Sequence, residues 1–179
     1  MLLFDNVMKP APIASIARLC PNCGLCCDST LFADVELRAG DDPKRLKKLG
    51  LTLEPKTKTR LAFAQPCTAF DGKLCCIYHD RPKRCRLFEC GMLKRVQSGD
   101  ISPALALRKI AAAKRQVKTV RKLLHALGQR DEQLALTHRY ADAISQPIDL
   151  ANHALAGRHG QLMMAVNELM DRLERDFLQ

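Results

Sequence analysis

The sequence predicts an α+β fold: a small cysteine-rich domain with short strands, followed by an α-helical hairpin or three-helix tail. Three observations predict it. All nine cysteines lie between Cys20 and Cys90, and none follows. In the cysteine region apolar and polar residues alternate over short stretches, whereas beyond position 100 apolar residues recur at steps of three and four. Between the two stands Ser98-Gly99-Asp100, a turn-forming triplet. The expected organisation is a lead-in segment, 1–19, a cysteine-cluster domain, 20–98, and a helical domain, 99–179.

The lead-in carries Pro10 and Pro12 and is expected to end in a short helical turn. Leu31, Ala33, Val35 and Leu37 then alternate with Asp34, Glu36 and Arg38, the period of a half-buried strand. Asp42, Pro43 and Gly50 are the cap, first residue and terminator of a short helix. Residues 51–64 read as extended. Asp71-Gly72, between Phe70 and Leu74, signals a hairpin. In the tail, Ser102-Pro103 starts a helix whose stripe is Ile110, Ala113, Val117, Val120, Leu124 and Leu127, and Gly128 ends it. A second helix is expected from Asp131 to Ser145, stopped by Pro147. A third carries Leu162, Val166, Leu169, Leu173 and Phe177 at helical spacing.

Composition narrows the class. Hydrophobic residues make up 47% of the 179, enough for a core, but aromatics are only 4% and Trp is absent. A core short of large rings calls for another staple. No basic-plus-apolar leader and no bilayer-length apolar run is visible, so the expected compartment is the cytoplasm, without membrane attachment. Thiols stay reduced there, and an odd number cannot all pair, so a disulfide framework is disfavoured. Metal ligation is the better use of the cysteines.

Their spacing supports this. The first group is Cys20-Pro-Asn-Cys23-Gly-Leu-Cys26-Cys27; the second is Cys67, Cys75-Cys76, Cys85 and Cys90. The C-x2-C-x2-C run wraps one face of a [4Fe–4S] cube in bacterial ferredoxins, with the fourth ligand from elsewhere. Zinc can equally take two cysteines from each of two distant turns. Gly24 would let the backbone approach sulfur or metal. Side chains of adjacent residues in extended backbone point to opposite faces. The doublets Cys26-Cys27 and Cys75-Cys76 therefore suggest two nearby sites, one polynuclear centre, or a ligand beside a spare thiol. Nine cysteines allow two four-cysteine sites with one left over. Arg81, Lys83, Arg84, Arg86, Lys94 and Arg95 surround Cys85 and Cys90 and could offset the negative charge of a thiolate site, or form a solvated loop.

CPNCGLCC, a lone cysteine, and then C-x-I-Y-x-x-R-P-x-x-C-R make a sequence that resembles the YkgJ-type cysteine-cluster family over about residues 20–90. That family is named for chelation of zinc or iron. The resemblance implies metal binding through Cys20, Cys23, Cys26, Cys27, Cys67, Cys75, Cys85 and Cys90. It leaves Cys76 at a variable position as the extra thiol. A related signature occurs in flagellin lysine methylases.

The remaining candidates are weaker. His79 reads as a ligand, as a donor orienting a thiolate, or as an exposed loop residue. Tyr78 reads as a packing residue with its hydroxyl near the site. His125, His138, His153 and His159 form no metal motif. Arg108, Lys109, Lys114, Arg115, Lys118, Arg121 and Lys122 form an acid-free basic run in a chain of formal charge +10. A solvated face is favoured over a nucleic-acid surface, since no aromatics interleave. Met163, Met164 and Met170 suit core packing or partner contact. No phosphate-binding Gly-rich motif is present.

The function expected from sequence is thus a protein holding an iron–sulfur cluster (slightly favoured) or zinc through all or most of the nine cysteines. Its role would be electron transfer, redox sensing or metal handling. The alternatives are a metal-dependent enzyme subunit, for example one related to methyl transfer, and a zinc-stabilised module docking acidic protein partners through its basic helix. No catalytic residue is identified.

Overall fold

The computed structural model describes residues 18–149 and 151–179. The lead-in with Pro10 and Pro12, and the reading that no leader precedes the domain, fall on residues outside these. In chain order the elements are α1 (Leu19–Cys23), β1 (Asp34–Glu36), α2 (Pro43–Lys48), β2 (Glu54–Pro55), β3 (Leu61–Ala64), a 3-10 turn (Tyr78–Asp80), α3 (Lys83–Leu87), α4 (Gly91–Gln97), α5 (Pro103–Ala126), α6 (Leu136–Ser145), α7 (His153–Leu173) and a π-helical turn (Glu174–Leu178). The mixed α+β class, a cysteine-rich region followed by tail helices, is the one the sequence predicts.

Local chemistry sets the boundaries. The Asp42 carboxylate accepts from the backbone N–H groups of Lys44 and Arg45, satisfying two orphan donors of α2. Ser102 Oγ accepts from the Leu105 N–H at 3.2 Å to start α5. Two expectations are corrected. Residues 51–64 do not run straight but fold back, with Lys56 N–H donating to the Arg60 carbonyl at 2.9 Å. This makes β2 and β3 an antiparallel pair in a sheet of order β1-β3-β2. The turn residues, Lys-Thr-Lys-Thr, carry no Gly or Pro to announce it. The second tail helix starts at Leu136, not Asp131, because the Asp131 carboxylate takes the Gln133 N–H at 2.9 Å in a local turn that competes with helix. Asp71-Gly72 does make a tight turn, closed by a single bridge between Phe70 and Cys75.

Two hydrophobic cores result. The first is helical: Ile110, Ala113, Val117, Val120 and Leu124 of α5 pack with Leu136, Leu162, Leu169, Leu173 and Phe177. It continues into the cysteine region through Leu19, Leu25, Met92 and Val96. Burying each Leu there is worth about 1.5–3 kcal/mol. The second core lies on the sheet and comprises Val35, Leu46, Leu51, Leu53, Phe63, Cys67, Ala69 and Ile77. Helices α5 and α7 run antiparallel. Arg172 Nε donates to Gln116 Oε1 at 2.7 Å, and Lys109 Nζ reaches Asp176 Oδ1 at 2.6 Å.

The basic run of α5 is not one surface. Lys109 is taken by Asp176, Lys114 Nζ donates to the Asn22 carbonyl at 3.2 Å, and Arg121 pairs with Asp28 at 3.1 Å. Arg108, Arg115, Lys118 and Lys122 remain exposed. Met163, Met164 and Met170 are also exposed, so core packing does not explain them. No helix among the described residues is long and apolar enough to cross a membrane.

Candidate metal centre

Helix α1 carries Cys20 and Cys23 and stops at Gly24, whose φ of 74° is left-handed and costs a residue with a Cβ. The close approach expected at Gly24 is made by a ring rather than by sulfur: a Cβ there would lie 2.6 Å from Phe70 Cζ. The turn then tightens, with the Cys27 and Asp28 N–H groups both donating to the Gly24 carbonyl. Leu25, fully buried, pins this turn into the helical core. Cys26 and Cys27 follow it, and Cys27 packs against the sheet core.

Packing separates the thiols. Cys23 and Cys90 lie against the helical core, whereas Cys67, Cys27, Cys75 and Cys85 belong to the sheet core. Backbone bonds hold the second set, since Cys67 N–H donates to the Cys27 carbonyl at 2.9 Å. Mutual electrostatics follow this division for Cys27 but not wholly for Cys26. Burial pushes the Cys26 thiol well up, and the sulfurs adding to the rise are Cys23, Cys90, Cys27 and Cys20 in that order, so Cys26 also feels its neighbour across the division. Burial pushes Cys27 up to about 12, and there the contributing sulfurs are Cys67, Cys75 and Cys85. Cys23 and Cys85 are likewise pushed up to about 12, mainly by burial. Cys20 is exposed overall, yet its thiol is raised by burial and then by Cys90.

A cavity of about 810 Å³ is lined by Cys20, Cys23, Cys26 and Cys90 together with Cys27, Cys67, Cys75 and Cys85. Cys76 is exposed and is not in its wall. No thiol among the nine is in a disulfide. Among the described residues no three Cys, His, Asp or Glu side chains already meet in a closed metal cage. The donor set nonetheless fits a thiophilic metal: eight reduced sulfurs share one apolar cleft, protonated at neutral pH until a metal takes the proton's place.

The chain belongs to the CxxCxxCC family. The match to the family model, described as "Putative zinc- or iron-chelating domain", covers residues 19–118, more than half of the chain. It reaches beyond the cysteine motifs into α5, further than the motifs themselves suggest. No curated protein and no solved structure matches the chain. The CxxCxxCC domain is thus a metal-binding one, and its residues 100–118 bring the first two thirds of α5 into it.

Of the six cations expected around Cys85 and Cys90, two act on the thiols. Lys94 lowers Cys90, though burial wins there, and Arg81 lowers Cys20, Cys75 and Cys85 against the same dominant burial. Lys83 instead donates to the Ala39 carbonyl, and Arg95 leans toward Asp176 at 3.8 Å. His79 is exposed on the 3-10 turn, edge-on to Tyr78 with ring centroids 5.9 Å apart. Tyr78 carries the Arg81 guanidinium on its ring face at 3.6 Å. Sequence reasoning missed Asp176, which is fully buried against Lys109, Arg95 and Arg175. It also missed Gln179, whose backbone oxygen a Cβ at Gly91 would overlap. The residues from Asp176 onward thus pack beside Cys90, and Phe177 and Leu178 line the same cleft.

Proposed function

We propose that this CxxCxxCC domain holds two four-thiolate iron–sulfur centres and transfers electrons. The first would be bound by Cys20, Cys23, Cys26 and Cys90, the second by Cys27, Cys67, Cys75 and Cys85, with Cys76 spare. The carrying observation is the cleft lined by those eight cysteines, with Cys23 and Cys90 against the helical core and Cys27, Cys67, Cys75 and Cys85 against the sheet core. The first set is a C-x2-C-x2-C run plus a distant fourth cysteine, the pattern of a cubane site. In two-cluster ferredoxins the next cysteine after such a run serves the other cluster, which is the part Cys27 would play. Four protein thiolates leave no open coordination position, and a closed site suits electron transfer or structure better than substrate activation. Bound clusters would supply reversible one-electron chemistry; the cysteines of this chain would give up their protons to bind them, and the cleft would enclose them.

Anaerobic purification followed by iron, zinc and acid-labile sulfide analysis tests this. Iron and sulfide in equal amounts with broad visible absorbance are expected, at twice the content of a Cys85→Ser variant. A colourless protein with zinc and no sulfide overturns the electron-transfer role and leaves a zinc-stabilised module.

A further inference from the structure

Both thiol sets need positive charge nearby, because four thiolates leave either a zinc ion or a [4Fe–4S] cluster with net negative charge. One half-buried guanidinium, that of Arg81, lies in the wall of the cleft they share. Its Nε–H donates to the Tyr78 carbonyl at 2.8 Å, and its Cζ sits 3.6 Å over the Tyr78 ring centroid. Among the described residues it forms no ion pair with a carboxylate, whereas Arg45, Arg60, Arg95, Arg121 and Arg175 all do. Pro82, buried, follows it and opens α3, so the backbone holds Arg81 at a fixed distance from Cys85. Its remaining N–H groups, two on each terminal nitrogen, are free to donate to sulfur.

We propose that Arg81 is the shared positioning residue of both thiolate centres, its one guanidinium held on Tyr78 between them and donating to sulfur ligands of each. The cleft wall it belongs to is shared with Cys20 and Cys23 of the first set and with Cys75 and Cys85 of the second. Hydrogen bonds from outside the ligand set orient thiolates and tune metal affinity, and their loss typically costs 10–100-fold. Lysine would keep the charge but lose the flat fork that stacks on Tyr78.

The inference rests on the two-centre reading, so the test begins by checking that reading alone. With Arg81 intact, the full chain is purified as Cys85→Ser, which leaves the first set, and as Cys90→Ser, which leaves the second. Each should retain metal; if neither does, the two-centre reading falls, and this proposal with it. Arg81→Gln and Arg81→Lys are then placed in each background and titrated with a competing chelator. Arg81→Gln is expected to weaken retention at least about tenfold in both backgrounds. Arg81→Lys is expected to recover most of that loss, and Tyr78→Ala to show a smaller loss of the same sign in both. A loss confined to one background, an Arg81→Lys variant as weak as Arg81→Gln, or no loss at all overturns the shared role. Thermal melts of the metal-free variants separate a charge effect, which leaves them alike, from a packing defect, which does not.

Discussion

The two sets of four thiols share a ligand chemistry but not a foundation. The first is anchored to helices: α1 carries Cys20 and Cys23, Cys26 lies in the turn after it, Cys90 is the N-cap of α4, and Leu19, Leu25, Met92 and Val96 sink the surrounding backbone into the core of α5 and α7. The second is anchored to the sheet, around Phe63, Ile77 and the buried Cys67. Metal affinity depends on how firmly a scaffold holds its donors, so damage to one core should reach one set and spare the other. The helical tail is, on this view, part of the first site's support rather than an appendage to it.

The sharpest break of this comparison uses the adjacent pair. Cys26→Ser should empty the first centre and keep the second, Cys27→Ser should do the reverse, and metal analysis of the two variants should give complementary halves. Loss of all the metal in either single variant would mean one polynuclear centre. Next in size is Phe177→Ala, which removes a fully buried ring from the helical core. It should cost about 3–5 kcal/mol in thermal or denaturant unfolding and lower metal retention at the first set while leaving the second unchanged. A third prediction concerns pH. In the folded, metal-free chain burial holds thiols such as Cys23, Cys27 and Cys85 protonated up to about 12, against an ordinary value of 9.0. The unfolded chain gives up those protons from about pH 9. Raised native values therefore contribute stability that is whole below that pH and drains away as pH rises towards about 12. Melting of the metal-free protein should fall across that window, and loading metal should flatten the fall. The smallest effect is expected from Arg121→Ala. Arg121 ties α5 to the turn that carries both Cys26 and Cys27, through the Asp28 carboxylate at 3.1 Å and the Asp28 carbonyl at 2.6 Å. At a partly exposed pair the loss should be no more than about 1 kcal/mol in a denaturant titration, felt at both centres alike.

Much of this arrangement is legible in the chain because it is local. The Asp42 and Ser102 caps and the stripe from Ile110 to Leu124 follow from spacing within a few residues. What is not legible depends on partners far apart in sequence. Nothing near Asp176 marks it as buried, because Lys109, which neutralises it, is 67 residues away. Lys114 and Arg121 look like members of a solvated basic face until Asn22 and Asp28 come within reach. Arg81 is visible as one of six cations, but its difference from the others is its seat on Tyr78. The β2–β3 turn escaped notice because it uses residues with no left-handed preference.

The packing of residues 174–179 also orders events in time. Every cysteine of both sets precedes position 91, while Phe177 and Leu178 line the cleft and Gln179 lies against Gly91. A ribosome adding about 5–20 residues per second therefore exposes all nine thiols for several seconds before the last wall of the first set is made. Until residues 177–179 are added, that side of the first set has no wall.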